Sequence, residues 1–494
     1  MRPLYSTPSR PSADLPSTYW LLALAGLALL LASTYQRAIH TDDAWIGEFV
    51  YWASHEGRVR SELFRGLLHF EVYQEVYHKL FVWQAVLAVK LIGWNVYVLK
   101  SISLVYLAGL VGLSWYYLRY LPVVDRPRTF SLYIALLLFS SLVVEYGFMF
   151  RPETMLMFLG FCSWLLLRRA LLHGTTGAAV AAGLLAGSAA LTHLNGLIFI
   201  LAGGLLLLWR RRWVGVVGFG VAATVVTAGY GIDMVRHDSW QLFWQQQLNH
   251  PAIDNGSHGI GGHLLYMLNE HQRFFHSPKE IVLTLLLLLA AYVLYQHRPY
   301  TLEFRNLLLY FGLLVFSLNL IVQGKTTKYL LLYLPFILLL IVVAFDQLAQ
   351  LPGSRLQLLA SGLLGLYVVV NIVYTSLIVA DNRAQQAEND HLAQRLHPYW
   401  GARIIAPLNF IFPGIKHFQI QGATYYFMQA DEKWRHGQPF DLFTTAASEH
   451  IPLIILDQEA LRELHVPMPT VGGQSFGAYH FAYQDYGHYV YQLN

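Results

Sequence analysis

The chain has 494 residues, of which 55% are hydrophobic and only 13% are charged, whereas ordinary soluble domains are roughly 25% charged. A single cysteine, Cys162, excludes an intrachain disulfide and any metal site built from several thiolates. The net charge of +4 is mild, and Lys and Arg do not alternate with aromatic residues in the stripe typical of nucleic-acid binding, so we expect no nucleic-acid partner.

Long apolar runs with few charges predict a polytopic α-helical membrane protein of about eleven spans. We expect the first run to be retained as a span, because its end at Thr34-Tyr35-Gln36-Arg37 lacks the small-residue pattern of a cleavage site. The predicted spans are 18–35, 99–118, 129–147, 154–172, 177–193, 195–209, 213–231, 280–296, 306–323, 329–345 and 357–380.

Arginines indicate the orientation, because they gather in alternate connections between the runs, at 126–128, 168–169, 210–212, 298–305 and 355. Cytoplasmic loops are enriched in Lys and Arg, so this alternation places the N-terminus and residues 1–17 inside. Residues 80–98 would reverse the pattern if they spanned. We therefore interpret them as an interfacial helix on the membrane, with Trp83 and Trp94 at headgroup depth.

The segment from residue 381 to 494 changes character. Short β-like runs at 403–406, 453–456 and 479–493, a helical stretch at 383–396 and Pro/Gly-bearing turns predict a small soluble α/β domain. The predicted organisation is an N-terminal segment 1–17, a membrane domain 18–380 with an outer loop at 37–98, and this C-terminal domain on the outer side.

Two adjacent carboxylates, Asp42 and Asp43, follow the first span at the membrane edge. Apolar residues at helical spacing after them predict a short helix lying on the bilayer. Capping by Thr41 or Asp42, with Asp43 complementing the helix dipole, would explain one carboxylate. Two adjacent ones favour a catalytic role, and both roles can coexist.

Three further clusters stand at predicted outer turns. Arg151 and Glu153 oppose the positive-inside bias and serve either to close a turn or to bind substrate. Lys325, Lys328 and Tyr329 precede the tenth span, where paired ammonium groups suit an anionic phosphate, although lysines also anchor helix ends by snorkelling. His193 lies in a very short turn and is more typical of a hydrogen-bonding residue than of a catalyst.

This layout resembles the GT-C superfamily of membrane glycosyltransferases, and within it the protein-O-mannosyltransferases and the enzyme that adds aminoarabinose to lipid A. The resemblance covers roughly residues 18–380. It rests on the acidic pair, the amphipathic helices of the first outer loop and the basic cluster before a late span. It implies that Asp42-Asp43 stands where the family has an Asp-Glu-like pair whose first carboxylate is the catalytic base.

The resemblance also assigns several basic residues. Where the family often has Pro-Pro-Leu and then aromatics, this sequence has His78-Lys79-Leu80-Phe81-Val82-Trp83. Both prolines are missing, and Lys79 would contact the phosphate instead. Lys325-Thr326-Thr327-Lys328-Tyr329 is similar to the family's basic-plus-Tyr motif, and Lys100 stands at the basic position of the second span.

These features predict transfer of a sugar from a polyprenyl-phosphate-linked donor to a hydroxyl acceptor on a lipid, glycan or protein. A leaving phosphate needs no proton, so one base, Asp42, suffices, and direct displacement inverts the anomeric centre. Lys79, Lys325, Lys328 and Arg151 would stabilise the leaving phosphate. We expect no cofactor, and a divalent cation at Asp42 and Asp43 is the alternative.

We expect a bacterial inner-membrane protein with its active face and C-terminal domain outside the cytoplasm. Two other functions stay open: a transporter or flippase of a lipid-linked sugar, and a noncatalytic subunit of glycan assembly. A transporter would use the same cations without making a bond. The sequence has no visible internal repeat, and its acidic pair lies at the membrane edge rather than the midplane, which favours the transferase.

Overall fold

The computed structural model describes residues 16–249, 267–297, 301–322, 326–351, 353–470 and 472–494. Within these ranges, helices dominate as far as residue 395 and a mixed sheet follows. The helices before the sheet are α1 Pro16–Thr34, α2 Thr41–Glu56, α3 Lys79–Ile92, α4 Val96–Leu118, α5 Arg126–Phe139, α6 Ser141–Gly147, α7 Glu153–His173, α8 Thr176–Thr192, α9 Leu197–Trp209, α10 Trp213–Ala228, α11 Ile232–His237, α12 Trp240–Asn249, α13 His271–Phe274, α14 Pro278–His297, α15 Leu302–Ile321, α16 Leu330–Ala349, α17 Arg355–Ala380 and α18 Gln385–Arg395.

Every predicted apolar run is helical. Among the described residues, seven helices are long and apolar enough to cross a membrane, and an eighth span results if the bent pair α5 and α6 counts as one. Three shorter apolar helices, α1, α8 and α9, occupy the other predicted positions. The chain is an integral membrane protein. The number of crossings and their orientation stay predictions.

The third predicted span is not one straight helix. α5 and α6 meet at 66° around Ser140. The amide side chain of Asn371 accepts a hydrogen bond from the Ser141 N–H at 2.8 Å, so a donor released at the break is satisfied by α17. A break inside an apolar helix is tolerated where neighbouring helices supply such partners.

α16 forms the centre of the bundle, because nearly all of its residues are buried. A 3₁₀ turn, Thr327–Tyr329, leads directly into it. Helices around the outside, such as α4, α10 and α17, expose apolar side chains including Val105, Val221 and Val369. Exposed valine and leucine on the outside of a helical bundle are what a lipid environment favours.

The segment predicted to be interfacial splits into α3 and the beginning of α4, with Gly93 and Trp94 in the link. α3 is not among the helices long enough to span. It exposes Trp83, Leu87 and Leu91 on one face and buries Phe81 and Ala85 on the other. An amphipathic helix of this kind suits the membrane interface. Trp94 instead stacks on Phe412 of the C-terminal domain, with ring centres 5.2 Å apart.

α2 does not lie on a membrane surface as the sequence suggested. Its apolar residues Ile46, Phe49 and Val50 are all buried by protein. Gly47 faces the ring of Phe412, and an added Cβ would stand 3.1 Å from it. α2 is covered by α3 and α4 together with the C-terminal domain, so its apolar face does not need lipid.

The predicted C-terminal α/β domain is present and contains six strands: β1 Arg403–Ala406, β2 Gln419–Gly422, β3 Leu453–Leu456, β4 Ser475–Phe476, β5 Tyr479–Asp485 and β6 His488–Leu493. They form one sheet of order β2-β1-β3-β6-β5-β4. β1 is parallel to β2 and β3, and the remaining pairs are antiparallel. The run 479–493, predicted as one β-like segment, is a hairpin whose turn at Tyr486-Gly487 has two positive φ angles, which suits a tight two-residue turn. The helices of this domain are α19 Ile411–Gly414, α20 Ala423–Arg435, α21 Leu442–Ser448 and α22 Gln458–Glu463.

The C-terminal domain is joined to the first loop by hydrogen bonds that involve backbone and glutamine side-chain groups. The Gly422 N–H at the end of β2 donates to the Leu63 carbonyl at 2.9 Å, and Gln421 donates to the Arg65 carbonyl at 3.2 Å. Nearer the membrane helices, the Ile39 N–H donates to the Gln385 side chain at 2.8 Å. The domain therefore fixes both the beginning and the middle of the loop.

Labelling of introduced cysteines tests the orientation. In a Cys162→Ser background, Arg355→Cys and Gln458→Cys each introduce a single thiol at a position that is exposed in the structure. A membrane-impermeant maleimide added to intact cells should label the thiol at 458, and should label the one at 355 only after permeabilisation, because arginine-rich connections stay inside. The reverse pattern would overturn the predicted orientation.

Candidate functional site

The two adjacent aspartates occupy the first turn of α2, and the residue before the helix caps it. His40 is the N-cap: its Nδ1 accepts a hydrogen bond from the Asp42 N–H at 3.2 Å. The Asp43 carboxylate in turn accepts from the His40 N–H at 2.8 Å. This reciprocal capping corrects the expectation that Thr41 or Asp42 caps the helix. The same His40 nitrogen also lies 3.3 Å from Oδ2 of the Asp42 carboxylate.

Asp43 is fully buried and ties two segments of the site together. Its Oδ2 lies 3.0 Å from the ammonium of Lys100, which is also buried. Its Oδ1 accepts a hydrogen bond from the Phe150 N–H at 2.6 Å. Asp43 thereby fixes the start of the helix that carries Asp42 against the turn that carries Arg151. These contacts suit Asp43 to hold neighbouring segments in place rather than to face the charges around Asp42.

Asp42 faces a second set of charges. Its side chain is 23% exposed and forms an ion pair with Nη1 of Arg151. The other edge of the guanidinium, Nε and Nη2, donates to the Glu153 carboxylate at 3.1 and 2.8 Å. Glu153 is buried at the start of α7. Arg151 therefore bridges two carboxylates that are distant in sequence from one another.

The charges around Asp42 control its ionisation. Burial by itself would raise the pKa of Asp42, but the hydrogen bond with His40 and the positive charges of Arg151 and Lys328 outweigh it and lower the pKa to about 2. The carboxylate is therefore ionised at every physiological pH. Burial would lower the pKa of Arg151, yet Glu153 and Asp42 hold it above its usual value.

Lys328 and Tyr329 complete the cluster from the start of the central helix. The ammonium of Lys328 is 5.4 Å from the Tyr329 ring centre and lies within electrostatic range of Asp42. Lys328 makes no ion pair within 4 Å with any residue that the structure describes. Lys325 lies outside the described residues.

His193 joins the cluster together with a residue that the sequence reasoning had left unassigned, His78. The two imidazoles stack with ring centres 4.7 Å apart, and the His193 ring lies 6.4 Å from that of Tyr329. His193 Nδ1 accepts a hydrogen bond from the Asn195 N–H at 3.0 Å, so the neutral ring carries its proton on Nε2. In the sequence, the sole signal for His78 is its place beside Lys79.

Arg273 is a second residue that the sequence did not single out. It is fully buried and donates to the Thr326 carbonyl at 2.7 Å. Its guanidinium carbon is 5.6 Å from the Tyr329 ring centre. Arg273 therefore supports the turn that presents Lys328 and Tyr329. No local sequence pattern predicts this role for Arg273, because its partners Thr326 and Tyr329 are distant from it in the sequence.

Lys79 is turned away from Asp42. Its ammonium lies 2.8 Å from the Asp233 carboxylate, which also accepts a hydrogen bond from the Tyr77 hydroxyl at 2.6 Å. The rings of Tyr77 and Tyr230 lie 4.4 and 4.8 Å from the same ammonium. Among the predicted site residues that the structure describes, Lys79 is the one it does not bring into the cluster.

The two aspartates are directed at different protein cations. Asp42 is directed at Arg151, and Asp43 at Lys100. Within the described residues, no group of three or more His, Cys, Asp or Glu side chains is arranged to hold a metal ion. A divalent cation at both carboxylates, as considered from the sequence, would have to displace two protein cations.

Solved structures of one protein align with this chain over nearly its whole length. ArnT from Cupriavidus metallidurans aligns with 96% of this chain in its apo state, TM-score 0.58, and with 97% when bound to undecaprenyl phosphate, TM-score 0.60. Each alignment covers 98% of ArnT at 14% identity. The fold is that of the GT-C glycosyltransferases.

The fold is also similar to that of an archaeal protein. The apo oligosaccharyltransferase of Archaeoglobus fulgidus aligns with 91% of this chain and 70% of its own, with a TM-score of 0.52 and 11% identity. No protein-family model matches the sequence, and no curated protein matches it. The GT-C resemblance inferred from the motifs is therefore confirmed at the level of the fold.

The buried Asp43–Lys100 pair should be critical for stability. Asp43→Asn leaves the Lys100 ammonium buried without its counter-charge, and we expect a loss of about 3–5 kcal/mol of unfolding free energy. Thermal unfolding in detergent measures this loss. The double variant Asp43→Asn with Lys100→Met should recover part of it, because no buried charge is then unpaired and the amide oxygen still accepts a backbone N–H. A double variant as unstable as Asp43→Asn would contradict this account.

His193 should make stability depend on pH. Removal from water lowers the pKa of His193 to about 4, with Arg151 and Lys328 adding to the effect and Glu153 opposing it. The unfolded chain, with a pKa near 6.5, binds a proton that the folded one excludes, so stability falls as pH drops from about 6.5 to 4, by at most about 1.4 kcal/mol per pH unit.

Unfolding temperatures between pH 7.5 and 5 test this dependence. His193→Gln should flatten part of the decline, whereas the exposed control His173→Gln should leave it unchanged. Equal pH slopes for His193→Gln and the wild type would show that His193 is not the titrating group.

Proposed function

We propose that the chain transfers a sugar from a polyprenyl-phosphate-linked donor to a hydroxyl acceptor, with inversion at the anomeric carbon. The observation that carries the proposal is a partly exposed carboxylate, Asp42, set beside Arg151 and Lys328 at one end of a GT-C fold. Further support comes from the similar ArnT structure that holds undecaprenyl phosphate.

Each charged group then has a role in a single displacement. Asp42 accepts the proton of the acceptor hydroxyl while that oxygen attacks the anomeric carbon. Arg151 and Lys328 stabilise the negative charge on the departing phosphate, which leaves without protonation. Glu153 orients the guanidinium, and Asp43 positions Asp42 from behind.

The neutral residues fit recognition of the same donor. His193 and His78 are held with low pKa values, chiefly by burial, so they act as neutral hydrogen-bonding groups rather than as cations. Neutral imidazoles suit sugar hydroxyl groups, which both donate and accept. The identity of the sugar and of the acceptor lies beyond this assignment. The bacterial inner membrane, with the site on its outer face, is the location we propose.

Transfer from radiolabelled polyprenyl-phosphate sugars in membranes tests the proposal. Wild-type membranes should transfer label to an acceptor, and Asp42→Asn should reduce the rate by roughly 10²–10⁴-fold, the usual contribution of a positioned base. Glu459→Gln, an exposed carboxylate on α22, is the matched control and should keep wild-type activity.

Two outcomes would replace the proposal. Label that crosses the bilayer equally with wild type and Asp42→Asn, without transfer, would indicate a transporter. Neither transfer nor transport with any tested carrier would indicate a noncatalytic subunit.

A further inference from the structure

The guanidinium of Arg151 is divided between two carboxylates. Nε and Nη2 are held by Glu153, which is buried and fixed at the start of α7. Nη1 is the end that pairs with Asp42. Because Glu153 anchors one edge, the guanidinium cannot turn away as a whole. What is free to change is the partner of Nη1.

This arrangement conflicts with the role of Asp42 as a base. The acceptor hydroxyl must approach the same carboxylate that Nη1 occupies. A guanidinium paired with a carboxylate also stabilises its ionised form and so weakens it as a proton acceptor. In the resting arrangement, Asp42 is positioned but poorly suited to deprotonate an alcohol.

Lys328 supplies a second attraction for an incoming anion. It lies within electrostatic range of both Asp42 and Arg151 and is half-buried. A phosphate bound between Lys328 and Nη1 of Arg151 would gain two cations in a partly desolvated site. It would compete with Asp42 for Nη1 directly.

We propose that the Asp42–Arg151 ion pair is a latch, and that the phosphate of the donor opens it by taking Nη1 of Arg151. This inference rests on the proposed function. Donor binding then precedes activation of the base. With the latch open, the acceptor proton passes to Asp42, the acceptor oxygen bonds to the anomeric carbon, and the bond from that carbon to the phosphate oxygen breaks with its electron pair on the phosphate. Asp42 pairs with Arg151 again once it has lost that proton and the lipid phosphate has left.

A double-mutant cycle on lipid-phosphate binding tests the latch. The probe is undecaprenyl phosphate, titrated against purified full-length protein in detergent. Asp42→Asn should bind it at least about three-fold more tightly than wild type, because the competitor for Nη1 is removed. In an Arg151→Gln background, the same Asp42→Asn change should have less than about a two-fold effect, since contacting residues couple in such cycles.

The cycle separates the latch from simple charge repulsion. If Asp42 merely repelled the phosphate, Asp42→Asn would tighten binding equally in both backgrounds, and the latch would be overturned while the proposed function survived. No change in the wild-type background would also overturn it. Wild-type protein that does not bind undecaprenyl phosphate at all would overturn both the latch and the proposed polyprenyl-phosphate donor.

Control variants keep the result interpretable. Asp431→Asn and Arg435→Gln remove an exposed Asp–Arg pair on α20 and should change binding in neither background. If Arg151→Gln does not fold, Arg151→Lys replaces it. A lysine cannot bridge two carboxylates as a guanidinium does, so the effect of Asp42→Asn should again shrink.

Discussion

The carboxylate of Asp43 is the contact on which the candidate site depends. It receives a backbone N–H from each of two segments more than one hundred residues apart, along with the ammonium of Lys100. Burying a charge is unfavourable unless it is paired and hydrogen-bonded, and here both conditions are met. Because the two segments carry Asp42 and Arg151, Asp43 fixes the geometry of the cluster around Asp42 without facing that cluster.

Adjacent aspartates thereby take different roles through their direction alone. Successive residues of a helix point about 100° apart, so one carboxylate turns inward and the other outward. The inward carboxylate, that of Asp43, pairs with Lys100 and is fully buried. The outward one, that of Asp42, pairs with Arg151 and is partly exposed. Around Asp42 the carboxylates of Asp42 and Glu153 balance the cations of Arg151 and Lys328 in formal charge.

The C-terminal domain contributes by ordering the first loop. Residues between α2 and α3 form no described helix or strand, yet they are well fixed at Leu63 and Arg65 by the end of β2. On α2, the buried side chain of Glu48 accepts hydrogen bonds from the Ser61 hydroxyl and from two backbone N–H groups of the loop. Burial raises the pKa of Glu48 to about 7 against these bonds, so it holds the loop with a carboxyl group that is partly protonated near neutral pH.

The sequence by itself determined where the helices and strands lie, because apolar length and periodicity are local properties: each predicted apolar run is helical, and the strands near 403 and 453 form. It also singled out Asp42, Arg151, Glu153, His193 and Lys328, since charged or polar groups at the ends of apolar runs are unusual, and the structure brings these residues together. The direction of each side chain was decided only by tertiary structure. Asp43 pairs with Lys100, Lys79 pairs with Asp233, and His78 stacks on His193. These partners are distant in sequence, so no local pattern predicts which residues come into contact. The burial of α2 was also decided by tertiary structure, because part of the surface that covers it belongs to the C-terminal domain.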